Sequence, residues 1–490
     1  MSTRLKAIPS RAVLGLAVAV VTAVASLAST NSSASTDPAL SSERRGVGTE
    51  PILGGTGVVI DPRKSLAITD QSILAGFSLF ETMNTLIARG GSTIGTINDT
   101  RDLFRRWWDT QNDHANLQFA DPVVKHCDDA AFESFDAFPY ECPRIEGAEA
   151  KLENNPFDTV IGDSGQGYSA IGLFNRFDLA AADGSDCGEY RMIFARNSGK
   201  TNGRKRNLII FEAVLPNPTP ALGLQGCLPV AEFWHDLASV SAATRATRLH
   251  KFYFDGLAGF SPVVHPDNYG AGASGHGQIR TNQFMQSNWM LREFKMSRQC
   301  PSPGVCTLKI TPSTVKTNPF GGLFSGAHSK SANFQNDFVT NQVLPLTTAD
   351  INLFNYFPPE TFNAKESDVQ DVISDYTTQA STAFRRAITT KLGTIPGATG
   401  LNATHVLNRA LALSCAGCHS FAVGRDMGGG LGAWPSSLGF THVSEQDSDV
   451  DNSGPDGPRF RISNALTDVF LPHRKRVLEG FLDANGVPGP

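Results

Sequence analysis

The eight cysteines fall into two unlike groups, and their placement is the strongest constraint on this chain. Cys127, Cys142, Cys187, Cys227, Cys300 and Cys306 are spread over the middle of the sequence, whereas Cys415 and Cys418 stand far downstream and are followed at once by His419. Two thiols at that spacing sit one backbone turn apart, so both reach the same edge of a partner, and the next residue presents an imidazole to the same space. Chance would place a C-x-x-C-H run in a chain of this composition on the order of 0.003 times. The run Ser414-Cys415-Ala416-Gly417-Cys418-His419 therefore calls for a chemical explanation.

The compartment narrows it. Arg4, Lys6 and Arg11 precede an apolar run from Ala12 to about Val24, and small residues frame cleavage after Ala25 or Ala28, so residues 1–28 read as an export signal. The run is short for a bilayer span and rich in alanine. Residues 29–48, rich in Ser, Thr and Ala, read as a flexible leader. The expected mature chain is periplasmic or secreted, with no integral membrane segment after cleavage. In such an oxidising setting thiols persist as disulfides. If Cys415 and Cys418 are otherwise engaged, sequential pairing of the other six (127 with 142, 187 with 227, 300 with 306) closes the shortest loops, though other connectivities remain open. A formal net charge of −5 and the lack of a dense basic block exclude a nucleic-acid partner.

At 490 residues more than one domain is expected. Ile73, Phe77, Phe80, Met83 and Ile87 recur at helical spacing and predict a helix over 70–88, and Thr100 to Trp108 predicts another. From about 120 to 344 short apolar runs alternate with Gly, Pro, Asn and Asp, which reads as mainly β with irregular loops. Arg191 to Ala195 and Leu208 to Val214 are its clearest strands. A helical stripe predicts a helix over 367–392, and Pro396 and Gly397 mark a linker. Helices are then expected over 402–413 and 472–482. The fold class is accordingly α+β and multidomain: a β-rich unit over 49–395 with flanking helices, and a small all-α unit over 396–490.

C-x-x-C-H is the pattern in which two thiols add across haem vinyl groups and the adjacent imidazole binds iron. A disulfide beside a bystander histidine, or half of a zinc site, are the other readings. Zinc would need a further Cys/His pair, and only His442 and His473 lie downstream. A thioredoxin-like pair would follow a βαβ pattern that is absent. Export to a compartment where c-type maturation occurs favours one covalent haem c, with Cys415, Cys418 and His419 as its attachment and axial residues.

On these residues the last 90 or so positions resemble a class I c-type cytochrome domain. Leu411 and Leu413 before the motif, Pro435 as a loop proline and the helix from Pro472 match that arrangement. The resemblance implies that the two helices cross beside the haem. It covers under a fifth of the chain, and the remainder resembles no family. The family's methionine ligand before the last helix has no counterpart. Met427 lies only eight residues past His419, His473 is 54 past it at the start of the final helix, and His442 is the other candidate for sixth ligand. Trp434 and Phe440 are placed to pack on the porphyrin.

Asp447, Asp449 and Asp451 alternate like the start of a Ca²⁺ loop, but Asn452 and Pro458 stand where an EF-hand needs Gly and Glu, so a solvated acidic loop is the plainer reading. Gly162-Asp163-Ser164-Gly165 with His126 is too closely spaced for a serine-protease triad, and Gly272-Ala273-Ser274-Gly275-His276 misses the nucleophile-elbow pattern. Trp107 and Trp108 read as core. Catalytic residues beyond the motif stay unassigned. The expected function is electron transfer or haem-dependent oxidoreduction with a redox partner protein or a small-molecule substrate. The alternative is a secreted, disulfide-stabilised binding protein whose haem unit is a sensor or accessory. A cavity shared by the two units would favour an enzyme.

Overall fold

The computed structural model describes residues 57–90, 100–110, 138, 140, 167–283, 289–302, 305–369 and 372–488. The export signal, the leader, His126, the run over 162–165 and the 127/142 pairing lie outside them.

The frame is an eight-stranded antiparallel sheet. Seven strands neighbour one another in chain order: β1 (Ala67–Ile68), β2 (Tyr168–Arg176), β3 (Asp186–Arg196), β4 (Asn207–Pro216), β5 (Gln278–Gln283), β6 (Met290–Ser302) and β7 (Val305–Ser313). The eighth, β8 (Glu366–Asp368), pairs with the start of β6, setting Ser367 opposite Leu291. A short ribbon of β9 (Val443–Ser444) and β10 (Arg461–Ile462) stands apart.

Because side chains alternate across a strand, each strand divides its residues between two faces. Tyr190, Met192 and Phe194 of β3 and Ile209, Phe211 and Ala213 of β4 form one apolar face, which is fully buried. It is covered by α1 (Leu79–Arg89), α2 (Thr100–Asp109), α3 (Leu228–Asp236) and α4 (Ala242–Phe254). Tyr190 stacks on Trp234 at 5.8 Å, and Phe294 meets Trp107 edge-on at 5.5 Å. Trp107 and Trp108 are core, as expected. The opposite face carries Glu189, Arg191, Glu212, Gln278 and Arg280, and it faces the C-terminal part of the chain.

Two further helices, α5 (Thr382–Leu392) and α6 (Ala403–Leu413), build a second core with Phe324, Phe334, Phe338 and Tyr376. The last helix, α7 (Leu471–Ala484), returns to the first core, where Phe481 meets Phe177 at 4.8 Å. Residues after 396 thus pack into both cores, α6 into one and α7 into the other.

The mixed α+β class holds, with local differences. The helix expected over 70–88 is two: Gln71–Leu74 ends before Gly76, and Ser78 caps α1 by accepting from the Glu81 amide at 3.1 Å. The helix expected over 367–392 is also divided. Its first residues belong to β8, and Ser381 caps α5 through the Phe384 amide at 3.3 Å, so the apolar stripe runs across a break that only the cap marks. Within the region read as mainly β, α3 and α4 are helical, α4 beginning at Ser241, whose hydroxyl accepts from Thr244. Cys187 pairs with Cys227, and Cys300 with Cys306.

Beside the first of these disulfides, Asp186 is buried, accepting from the amides of Gly188 at 2.9 Å and Ala181 at 3.2 Å, yet burial pushes its pKa up to about 6. The folded state thus holds a proton that the unfolded chain loses near pH 4, and stability falls as pH rises through that window. Asp186→Asn keeps the acceptor oxygen without the charge. It should gain up to about 3 kcal/mol at pH 7, with no gain below about pH 4, as read from urea midpoints at the two values. Equal midpoints at pH 7 would show that the carboxylate is not penalised.

Candidate functional site

The Cys415 segment is held from three directions. Asn402 opens α6 by accepting from the His405 amide at 3.0 Å. The buried Arg409 then donates to the carbonyls of Leu346 and Met427, both at 2.7 Å, and to those of Thr348 and Gly428, which ties the helix to two loops without a carboxylate partner. The helix ends at Ser414, whose hydroxyl donates to the Leu411 carbonyl at 2.8 Å and accepts from the Gly417 amide at 3.1 Å. A Cβ at Gly417 would lie 1.7 Å from the Leu411 carbonyl oxygen, so the second spacer of the motif must be glycine. The Ala416 amide donates to Ser367 Oγ at 2.9 Å, and that hydroxyl donates to Asn318 at 2.7 Å, fastening the turn to β8 and through it to the sheet.

Cys415, Cys418 and His419 open into a cavity of about 550 Å³ between this turn and the polar face of the sheet. Neither thiol is in a disulfide. Burial, reinforced by Cys415, pushes the Cys418 thiol up to about 12, so it is held protonated. Burial, with Arg280 adding to it, lowers His419 to about 4, which keeps the imidazole neutral. Its ring packs against Trp289 at 5.4 Å, and Trp289 stacks on Phe440 at 6.0 Å.

The structure brings His442 to the motif. Its ring centroid is 4.7 Å from that of His419, its Nε2 is 3.4 Å from Cys418 Sγ, and its Nδ1 is hydrogen-bonded to Ser463 Oγ at 2.8 Å. Burial and the neighbouring His419 hold it neutral as well. His473 lines the same cavity, partly buried. Met427 does not line it: the residue is fully buried in the second core. Trp434 forms part of the wall.

The sheet wall is charged. Arg176 grips Asp178 with two nitrogens, at 2.9 and 2.8 Å, Arg191 joins Glu189 at 2.7 Å and Glu212 at 3.1 Å, and Arg280 joins Glu212 at 3.1 Å and Glu293 at 2.9 Å. Sequence reasoning missed all of these. They are scattered over β2, the turn after it, β3, β4, β5 and β6, with a period-two pair only at Glu189 and Arg191 and at Gln278 and Arg280, a pattern that a solvated sheet face would also write.

The acidic loop is not gathered round a centre. Asp449 accepts from Ser444 Oγ at 2.7 Å and Asp451 from Ser453 Oγ at 2.6 Å, while Asp447 takes the Lys200 carbonyl through its amide at 3.0 Å. No group of three or more His, Cys, Asp or Glu with metal-holding geometry occurs among the described residues. Ser274 sits in a polar turn, accepting from the His276 amide at 3.3 Å. No protein-family model matches the chain, and no curated protein and no solved structure matches it.

Proposed function

We propose that the protein is an exported haem-dependent oxidoreductase that holds one haem through Cys415 and Cys418, with His419 as an iron ligand. The observation that carries this reading is the cavity: two thiols outside any disulfide and a neutral imidazole open into a space of about 550 Å³ whose far wall is the charged face of the sheet. A haem attached through these thiols needs a chamber of this kind, and a lining that joins charged and apolar side chains suits a bound cofactor or small molecule. The donor set suits c-type attachment, and when bound the haem supplies redox and small-ligand chemistry. A cysteine nucleophile is the wrong description of Cys418, because a reactive thiol needs a lowered pKa and this one is raised.

The chain's own residues do the rest. Ser414 and Ser367 fix the turn that carries the thiols. Ser463 orients His442, whose ring lies beside that of His419, and His442 is the proposed second ligand in place of His473 or Met427. Two disulfides support an extracytoplasmic site, and no helix among the described residues is long and apolar enough to cross a membrane.

The test is the visible spectrum of the protein exported from a host competent for c-type maturation, recorded after denaturing extraction of free haem. A Soret band that stays with the polypeptide is expected. A colourless protein would overturn the reading.

A further inference from the structure

Four guanidinium groups line the cavity, those of Arg176, Arg191, Arg280 and Arg474. The first three are matched by Asp178, Glu189 and Glu212 at 2.7–3.1 Å. Arg474, in the first turn of α7, is not. Its side chain is 10% exposed and makes no hydrogen bond among the described residues. Its nearest carboxylate oxygen, Asp178 Oδ1, is 3.8 Å away and already accepts from Arg176. The Phe470 ring, 6.0 Å from its guanidinium, offers no acceptor, and Glu189 acts on it without a hydrogen bond. A buried cation without an acceptor costs several kcal/mol, and a fork of N–H donors is satisfied best by a carboxylate, which accepts from two of them at once.

We infer that Arg474 is a carboxylate seat of this cavity. It sits beside the two thiols and His442, in a chamber walled on one side by Phe354, Tyr356, Phe470 and Trp434 and on the other by the charged sheet face, so a carboxylate held there can belong to a body with one apolar surface. Two sources fit that chemistry: a propionate of the haem that the preceding reading places here, or the carboxylate of an organic substrate. The inference rests on the cavity as a ligand chamber but does not need the haem.

The experiment uses the full exported protein, wild type, Arg474→Gln and Arg474→Lys, with benzoate as probe and benzamide as its uncharged counterpart. Thermal melting is followed alongside calorimetric binding. A substrate seat gives benzoate binding and a raised melting temperature in the wild type, at least tenfold weaker binding of benzamide, and at least tenfold weaker benzoate binding in Arg474→Gln, with the Soret band unmoved. A propionate seat gives no benzoate binding to the pigmented protein, but Arg474→Gln shifts the Soret maximum and the reduction potential. Arg474→Lys, which keeps the charge without the fork, falls between wild type and Gln in either case and serves as the folded comparison if Gln does not fold. Variants that match the wild type in benzoate binding, spectrum and potential would overturn the inference. A colourless protein whose benzoate binding still depends on Arg474 would sink the haem reading and leave the seat standing.

Discussion

Alanine at both Cys415 and Cys418 is expected to abolish polypeptide-bound pigment altogether, while the protein still folds and is exported. Both thiols belong to the turn after α6, and no disulfide joins them, so their removal breaks no cross-link. Cys418 lies partly buried at the cavity and loses little more than one packed sulfur, a change on the order of 1–2 kcal/mol. Each single variant keeps one attachment point and should retain covalent pigment at reduced yield. His419→Ala leaves both thiols but removes the imidazole that follows them, and the spectrum of whatever pigment remains should change in its ligand-sensitive bands. The measurement is absorbance per polypeptide after extraction. Pigment persisting undiminished in the double variant would show attachment elsewhere or none at all.

Glu445→Ala should be the most destabilising single change considered, by about 3–5 kcal/mol in urea unfolding. Glu445 is fully buried and accepts from Arg206 at 2.8 Å through one oxygen and 2.9 Å through the other. Arg206 is itself 7% exposed, so removing the carboxylate strands a guanidinium away from water. The pair also has a place in the site. It joins the residue before β4 to the segment that follows β9, and Arg206 reaches Thr441, next to His442. Its loss should loosen the strand that presents His442. Removing both charges, as Arg206→Met with Glu445→Met, should recover most of the stability, because no charge is then left unpaired. A double variant as unstable as Glu445→Ala would assign the cost to packing.

Much of the local structure was written in the chain. The strands around Arg191 and Leu208, the helix from Asn402, the final helix and two of the proposed disulfides follow from period, caps and loop length, which act between residues close in sequence. The breaks at Ser78 and Ser381 were harder to see: an apolar stripe continues through them, and a serine hydroxyl capping a new helix is a contact of a few residues that periodicity averages away. The division of the segment after 396 between two cores was not legible, since it depends on which distant surfaces α6 and α7 cover.

The same distinction runs through the site. By itself the sequence determined the motif: two thiols and an imidazole whose spacing is fixed by covalent geometry, while the structure adds that a side chain at Gly417 would strike the Leu411 carbonyl. Only the tertiary structure decided what faces them. His442 reaches His419 because β9 and the Ser463 hydroxyl carry it there, and the guanidinium of Arg474 meets the cavity because α7 packs back on the sheet. Strand alternation specifies that Glu189, Arg191, Glu212 and Arg280 share a face. Whether that face meets water or a thiol-lined chamber is set by packing between parts of the chain some 200 residues apart, as Arg206 with Glu445 illustrates at a separation of 239.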